Sequence, residues 1–169
     1  KINMDLLYHG IIGYIISDLL YDKVFLHIIF VAMMPDLIGT TYFQYLVIKN
    51  SCKKTFKIFL KDIIKHSNKC IFFSKKDKII YRTTHSLITL SIFMIVIYVK
   101  NIESFFGIFL AYLSHIIIDI FTHNNEFSTR ILFPFSDFHI EGKFWLKNKK
   151  MFINIWLITI IIFIFVILS

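Results

Sequence analysis

The feature that most constrains this chain is a set of long apolar runs with ionisable side chains set inside them. Runs of Ile, Leu, Phe and Val cover residues 6–20, 24–48, 85–99, 104–121 and 152–168, against the ~20 residues that a membrane-spanning helix needs. Into or beside these runs fall His9, Asp36, His85, His115 and Asp119. An ionisable group at bilayer depth costs roughly 2.5–3.5 kcal/mol on insertion scales, so such residues face a cavity, pair with one another or carry out chemistry. Five metal-ligating side chains in one set of spans predict a site.

Apolar residues make up 57% of the 169 and the mean hydropathy is +0.69, whereas a soluble domain is about 45–50% apolar. The runs therefore predict an all-α fold, a polytopic membrane helix bundle of about five transmembrane segments forming one integral membrane domain over residues 1–169. The run 6–20 reads as a retained span, because Lys1 alone is a thin basic region and no small-x-small cleavage site follows. Pro35, in the middle of the second run, predicts a kink or a stop followed at once by Asp36. A break at depth beside a carboxylate is a usual way to line a polar cavity.

The net charge of +8 raises the question of nucleic acid, and the placement of the charge answers it. Every Lys and Arg except Lys23 and Lys100 lies at the N-terminus or within 49–82 and 130–150. Retention of positive charge in the cytoplasm makes 49–84 and 123–151 inner loops, 22–23 and 100–103 outer turns, and the C-terminus external. No nucleic-acid module accompanies the basic residues, so membrane lipids, not nucleic acid, are the expected partners. In the first loop Phe56, Phe59, Leu60, Ile63 and Ile64 share a helical stripe ringed by Lys53, Lys54, Lys57, Lys61 and Lys65. That pattern fits an amphipathic cytoplasmic helix on anionic lipid, and equally a charged loop packing its stripe on the protein. Cys52 and Cys70 lie in the same loop, where thiols stay reduced, and imply neither a disulfide nor a zinc ribbon.

His115 and Asp119 are four residues apart and His123 continues their stripe one turn on, so all three can face one point. Imidazole and carboxylate at this spacing suit a divalent metal; an intramembrane His–Asp hydrogen bond is the competing reading. His85 follows Thr83 and Thr84, either of which can cap a helix beginning there, and the positive helix end favours the neutral imidazole that a metal requires. Arg82 beside it makes an anion site, or simply adds to the cytoplasmic charge. His9 and Asp36 complete the set. Under the charge-derived topology His9, His85, His115, Asp119 and His123 all fall toward the cytoplasmic leaflet, while Asp36 on a straight helix would sit near mid-membrane unless Pro35 moves it. His27 reads as packed near the outer face, His66 as solvated, and Glu126, His139 and Glu141 as loop residues that join the site or stand apart from it.

In order and spacing, His9, Met34-Pro35-Asp36, Arg82-Thr83-Thr84-His85-Ser86-Leu87, His115-Ile116-Ile117-Ile118-Asp119 and Leu132-Phe133-Pro134-Phe135-Ser136 resemble the membrane-bound metal-dependent hydrolases of bacterial inner membranes. The resemblance covers most of the chain and ends before the last run. Many members carry a further His just before the Arg, where this chain has Tyr81, so no ligand role transfers to that position. The His/Asp order is also similar to that of the helical zinc-dependent phospholipases C. The resemblance implies a multi-pass inner-membrane hydrolase whose metal ion lowers the pKa of a bound water to about 7 and polarises the scissile bond. Its substrate is a phosphoester or ester, small or lipidic. The expected ligands are His9, Asp36, His85, His115, Asp119 and His123, with Asp36 or Asp119 able to bridge two ions and Arg82 holding an anionic group. Nitrogen and carboxylate ligands favour Zn2+, with manganese and iron as alternatives. A non-enzymatic metal-binding or ion-transporting membrane protein would need the same ligands but no open coordination position. A haem protein gives Asp36 and Asp119 no role, and a zinc protease would show an HExxH helix, which is absent from the sequence.

Overall fold

The computed structural model describes residues 2–51, 75–100, 102–124, 128–143 and 148–169. The described residues form six helices and no strand: α1 (Ile2–Tyr21), α2 (Leu26–Ser51), α3 (Lys75–Thr84), α4 (Leu87–Val99), α5 (Phe105–Thr122) and α6 (Lys149–Leu168). The described residues are all-α, as the apolar runs predict. The amphipathic stripe around Phe56–Ile64, together with Cys52, His66, Cys70 and Glu126, lies outside the described residues.

Helices α1 and α2 form a hairpin whose tight turn is organised by one buried hydroxyl. Ser17 Oγ donates to the Lys23 carbonyl (3.0 Å) and accepts from the Phe25 amide (2.7 Å), while Asp22 takes the left-handed conformation at φ 49°. The two helices approach closely because Gly13 has no side chain: a Cβ there would lie 2.9 Å from both Ala32 Cβ and Ile29 Cα. Helix α5 packs across this pair. Ile28, Val31 and Ala32 of α2, Leu90 and Met94 of α4, and Ile108, Ala111, Tyr112 and Ile116 of α5 make one continuous apolar core. Helix α6 lies against α1, through Tyr8 on Trp156, Tyr14 on Phe163, and a hydrogen bond from Thr159 Oγ1 to the Tyr8 hydroxyl (3.2 Å).

Sequence and structure differ in the number of spans. Two helices, Phe105–Thr122 and Lys149–Leu168, are long and apolar enough to cross a membrane, and the pair Lys78–Thr84 and Leu87–Val99, bent by 56°, makes a third if it is one span. Leu6–Tyr21 and Leu26–Gly39 are shorter apolar helices. Among the described residues the count is therefore two or three, fewer than the five that the apolar runs predict. Run length in a sequence overlooks breaks: the run at 85–99 becomes a 13-residue helix, about 20 Å of rise against a hydrocarbon core of roughly 30 Å. Of the two outcomes expected at Pro35, a kink or a stop, the stop does not occur: helix α2 continues through it from Leu26 to Ser51.

Candidate metal centre

Four described side chains bring ligand atoms to one buried point. Asp36 of α2, His85 between α3 and α4, and His115 and Asp119 of α5 each place a carboxylate oxygen or ring nitrogen within 4.8 Å of the others. The convergence follows from helix register. His9, Asp36, His115 and Asp119 each lie ten to fourteen residues along their helices from the ends of α1, α2 and α5 that border the turns at 22–25 and 100–104, a rise of about 15–21 Å, and His85 stands two residues before the first residue of α4. Asp36 thus sits level with its partners, and no break at Pro35 is needed to bring it there.

The local structure around His85 explains how it is aimed. The hydroxyls of Thr83 and Thr84 turn back onto carbonyls of α3, Thr83 to Ile79 (2.8 Å) and Thr84 to Tyr81 (3.0 Å). Neither caps α4. Ser86 does so, accepting from the Ile88 amide (3.1 Å), so His85 occupies the break itself and not a helix N-terminus. Its ring stacks on Tyr81 with centroids 3.9 Å apart, and its Nδ1–H donates to the Tyr81 carbonyl (2.8 Å). Tyr81 therefore contributes a ring face and a main-chain acceptor.

His115 is held the same way from across the core, its Nδ1–H donating to the Ala32 carbonyl (2.7 Å). A carbonyl can only accept, so in both histidines Nδ1 carries a proton, and when the ring is neutral the lone pair is on Nε2. Those two Nε2 atoms face each other at 3.1 Å. Two lone pairs at this distance repel unless a cation or a proton lies between them. The carboxylates complete the arrangement: His85 Nε2 is 3.4 Å from Asp36 Oδ1 and 3.1 Å from Asp119 Oδ2, and His115 Nε2 is 3.3 Å from Asp119 Oδ2. Ligating histidines characteristically donate their other ring N–H to a carbonyl or carboxylate, which fixes tautomer and orientation. Both of these do.

Asp119 has a different neighbourhood on each oxygen. Oδ2 faces His85 and His115, whereas Oδ1 lies 3.3 Å from His9 Nε2 and 3.3 Å from His123 Nδ1. The Thr122 hydroxyl gives its proton to the Ile118 carbonyl (2.8 Å), so at 3.0 Å from His123 Nδ1 it must accept. His123 Nδ1 therefore carries a proton, which the Thr122 hydroxyl accepts with Asp119 Oδ1 close by, leaving Nε2 as the nitrogen able to ligate. His9 stacks on His115 with centroids 3.8 Å apart. All of these groups are buried, and Asp36, with 10% of its side chain exposed, is the most open of the four converging residues.

The remaining candidates fall elsewhere. His27 Nε2 contacts Ser104 Oγ near the far turns. His139 and Glu141 pair at 3.3 Å on the loop following α5, outside the four-residue group. Arg82 lies one turn before His85 with its Nη1 3.9 Å from Asp137 Oδ1. That loop is a cap fastened to both sides of the centre. Leu87 N donates to Ile131 O (2.9 Å) and Ser86 Oγ to Phe133 O (2.7 Å) at one end, while Gly142 N donates to His123 O and Lys143 N to Phe121 O, each at 2.9 Å, at the other. Sequence reasoning missed Arg130 and Asp137 in this loop, and the carbonyls of Ala32 and Tyr81. Arg130 had a signal, since it stands two residues before the Leu132–Ser136 motif; a main-chain acceptor has none. No protein-family model, curated protein or solved structure matches the chain.

Proposed function

We propose that this chain is a membrane-embedded metal-dependent hydrolase acting on a phosphoester or ester substrate, with Asp36, His85, His115 and Asp119 holding a divalent ion. The observation that carries the reading is the pair of Nε2 atoms facing each other at 3.1 Å between two buried carboxylates. A buried charge persists only when it is balanced, and two carboxylates balance one divalent cation. Imidazole with carboxylate suits zinc, manganese or ferrous iron, and zinc is the ion we assign. Such an ion supplies Lewis acidity, bringing a coordinated water toward a pKa of about 7 and polarising the scissile bond. The chain's own part is to fix the ligands: the carbonyls of Tyr81 and Ala32 hold both imidazoles in the ligating tautomer, and His9 and His123 hold Asp119 by Oδ1. Asp36, the most open ligand, marks the side on which a substrate would enter, and Arg82 would hold its anionic group.

The same reading makes the chain a multi-pass protein of a bacterial inner membrane. Its basic segments 49–84 and 123–151 face the cytoplasm, and the α1–α2 hairpin reaches the same depth as α4 and α5. Labelling from outside intact cells should leave a cysteine placed at position 66 unmodified.

One observation favours a second reading. Four protein ligands can complete a tetrahedron by themselves, as in a closed site, which suits a non-enzymatic metal-binding or ion-transporting protein. Elemental analysis of detergent-purified protein followed by a screen of phosphomonoester, phosphodiester and carboxylic ester substrates separates the two. A hydrolase loses turnover on chelation and regains it on metal return, whereas stoichiometric metal without turnover on any class points to the second reading, and absence of metal overturns both. Within an active enzyme, Arg82→Ala should leave metal content near wild type. It should lower kcat/KM on an anionic substrate about tenfold to a hundredfold, from one lost charge-assisted contact of ~1.5–3 kcal/mol, and affect a neutral ester far less.

A further inference from the structure

We infer that Arg82 and Arg130 form a two-guanidinium seat for a phosphoryl oxyanion beside the metal centre, in which the Asp137 carboxylate stands where the substrate's phosphoryl group binds. The inference rests on the hydrolase reading for its purpose and on separate residues for its evidence.

Both arginines meet at one oxygen. Arg130 Nη1 donates to Asp137 Oδ1 (2.9 Å) and to the Asp137 carbonyl (2.8 Å), and Arg82 Nη1 lies 3.9 Å from the same Oδ1. Among the described residues the two guanidiniums share a single carboxylate, so two positive charges face one negative charge there. Arg82 Nε is buried and finds no hydrogen-bond partner among the described residues. A guanidinium presents five N–H donors in a rigid fork matched to carboxylate and phosphate oxygens, and two of them offer more donors than one carboxylate can accept. A phosphoryl group, with more oxygens and more charge, fits the cluster better than the carboxylate it holds.

The exposure pattern says which member can leave. The side chains of Arg82 and Arg130 are 24% and 16% exposed, whereas that of Asp137 is 76% exposed. Solvent competes strongly for such a carboxylate, and ion pairs of this kind contribute little stability. Position completes the case. Arg82 precedes His85 by three residues, on the same helical face as the break. Arg130 belongs to the cap whose Ile131 and Phe133 carbonyls hold Leu87 and Ser86, the residues directly after His85. The seat therefore borders the residue that supplies one metal ligand.

Inorganic phosphate, titrated by calorimetry into the full chain in detergent, tests the seat. A chelated sample removes any contribution of the metal. Asp137→Asn keeps the side-chain shape and removes the competing charge, so it should bind phosphate severalfold more tightly than wild type. Arg130→Ala and Arg82→Ala should each weaken binding at least tenfold, and Arg130→Lys, which keeps charge but not the fork, should fall between. Metal uptake by each variant on reloading establishes that it is folded. If Asp137→Asn binds phosphate no better than wild type, or Arg130→Ala binds it equally well, the seat is disproved. Repeating the titration in nanodiscs identifies the source of the group. Phosphatidate that raises the apparent phosphate dissociation constant, where phosphatidylcholine alone does not, means a lipid headgroup; no difference means a soluble phosphate ester. Turnover is read in none of these arms, so an inactive chain would count against the proposed hydrolysis without touching the seat.

Discussion

The two helices able to cross a membrane on their own, α5 and α6, are similar in length yet differ in what they bury. In α5, 44% of the 18-residue window lies inside the protein; in the more apolar α6 the share is 11%. In water the more hydrophobic helix would be the more buried. In lipid, apolar side chains gain nothing by leaving the hydrocarbon, and small and polar residues drive helix association. Helix α5 turns Gly107, Ala111, His115, Asp119 and Thr122 inward, while α6 leaves Ile153, Leu157, Ile161, Ile164 and Phe165 exposed. Polarity in α5 thus marks the face that carries the candidate metal centre.

The sharpest way to break this comparison is through metal. His115→Ala should leave less than about a tenth of wild-type metal, since it removes a ligand and leaves Asp119 buried with one fewer partner. Ile161→Ala on α6 should leave metal content unchanged. Elemental analysis of the two purified variants decides it, and equal loss in both would mean that the centre depends on overall folding and not on the α5 face.

Packing gives the intermediate effect. A Cβ on Gly107 would lie 2.7 Å from Ile28 Cδ1 and 2.8 Å from a Tyr21 ring carbon, and displacing Tyr21 would disturb the hydrogen bond from Gly107 N to its hydroxyl (3.1 Å). Gly107→Ala should destabilise the fold by ~1–3 kcal/mol, the usual range for overpacking. An unfolding titration in detergent and denaturant reads this directly, and an unchanged midpoint would show that α5 has room to shift.

The smallest effect belongs to α6. Thr159→Val removes its hydrogen bond to Tyr8 while keeping the shape, and such bonds between helices in lipid average about 0.6 kcal/mol. The same titration should register a shift near its resolution limit. A loss as large as that of Gly107→Ala would make α6 a structural partner of α1 and not a mainly lipid-facing helix.

Legibility from sequence followed the same division. His9, Asp36, His85, His115 and Asp119 stood out because an ionisable side chain in an apolar run needs a reason, and the structure brings all five to one buried cluster. The all-α class was legible from run length. The number of spans was not, because the break at His85–Ser86 has no Gly or Pro to announce it. The level at which Asp36 sits was hidden by Pro35, whose usual meaning inside a helix is a stop. Arg130 and Asp137 lie in a loop with no periodicity, so only the chain's path shows that they meet. The carbonyls that set the tautomers of His85 and His115 belong to Tyr81 and Ala32, whose side-chain identities say nothing about them.

The four converging ligands come from three separate stretches of chain: one on α2, one between α3 and α4, and two on α5. An ion held by all of them is also a cross-link. It could be captured only after the last of these segments had been synthesised, so the nascent protein would pass through a stage in which two carboxylates await their counter-charge. Once captured, the ion must be released before α2 and α5 can separate. At free metal a hundredfold above the dissociation constant, that linkage adds about 2.7 kcal/mol to the folded state. Metal supply during synthesis would therefore set how much of this protein survives quality control, apart from anything it does to a substrate.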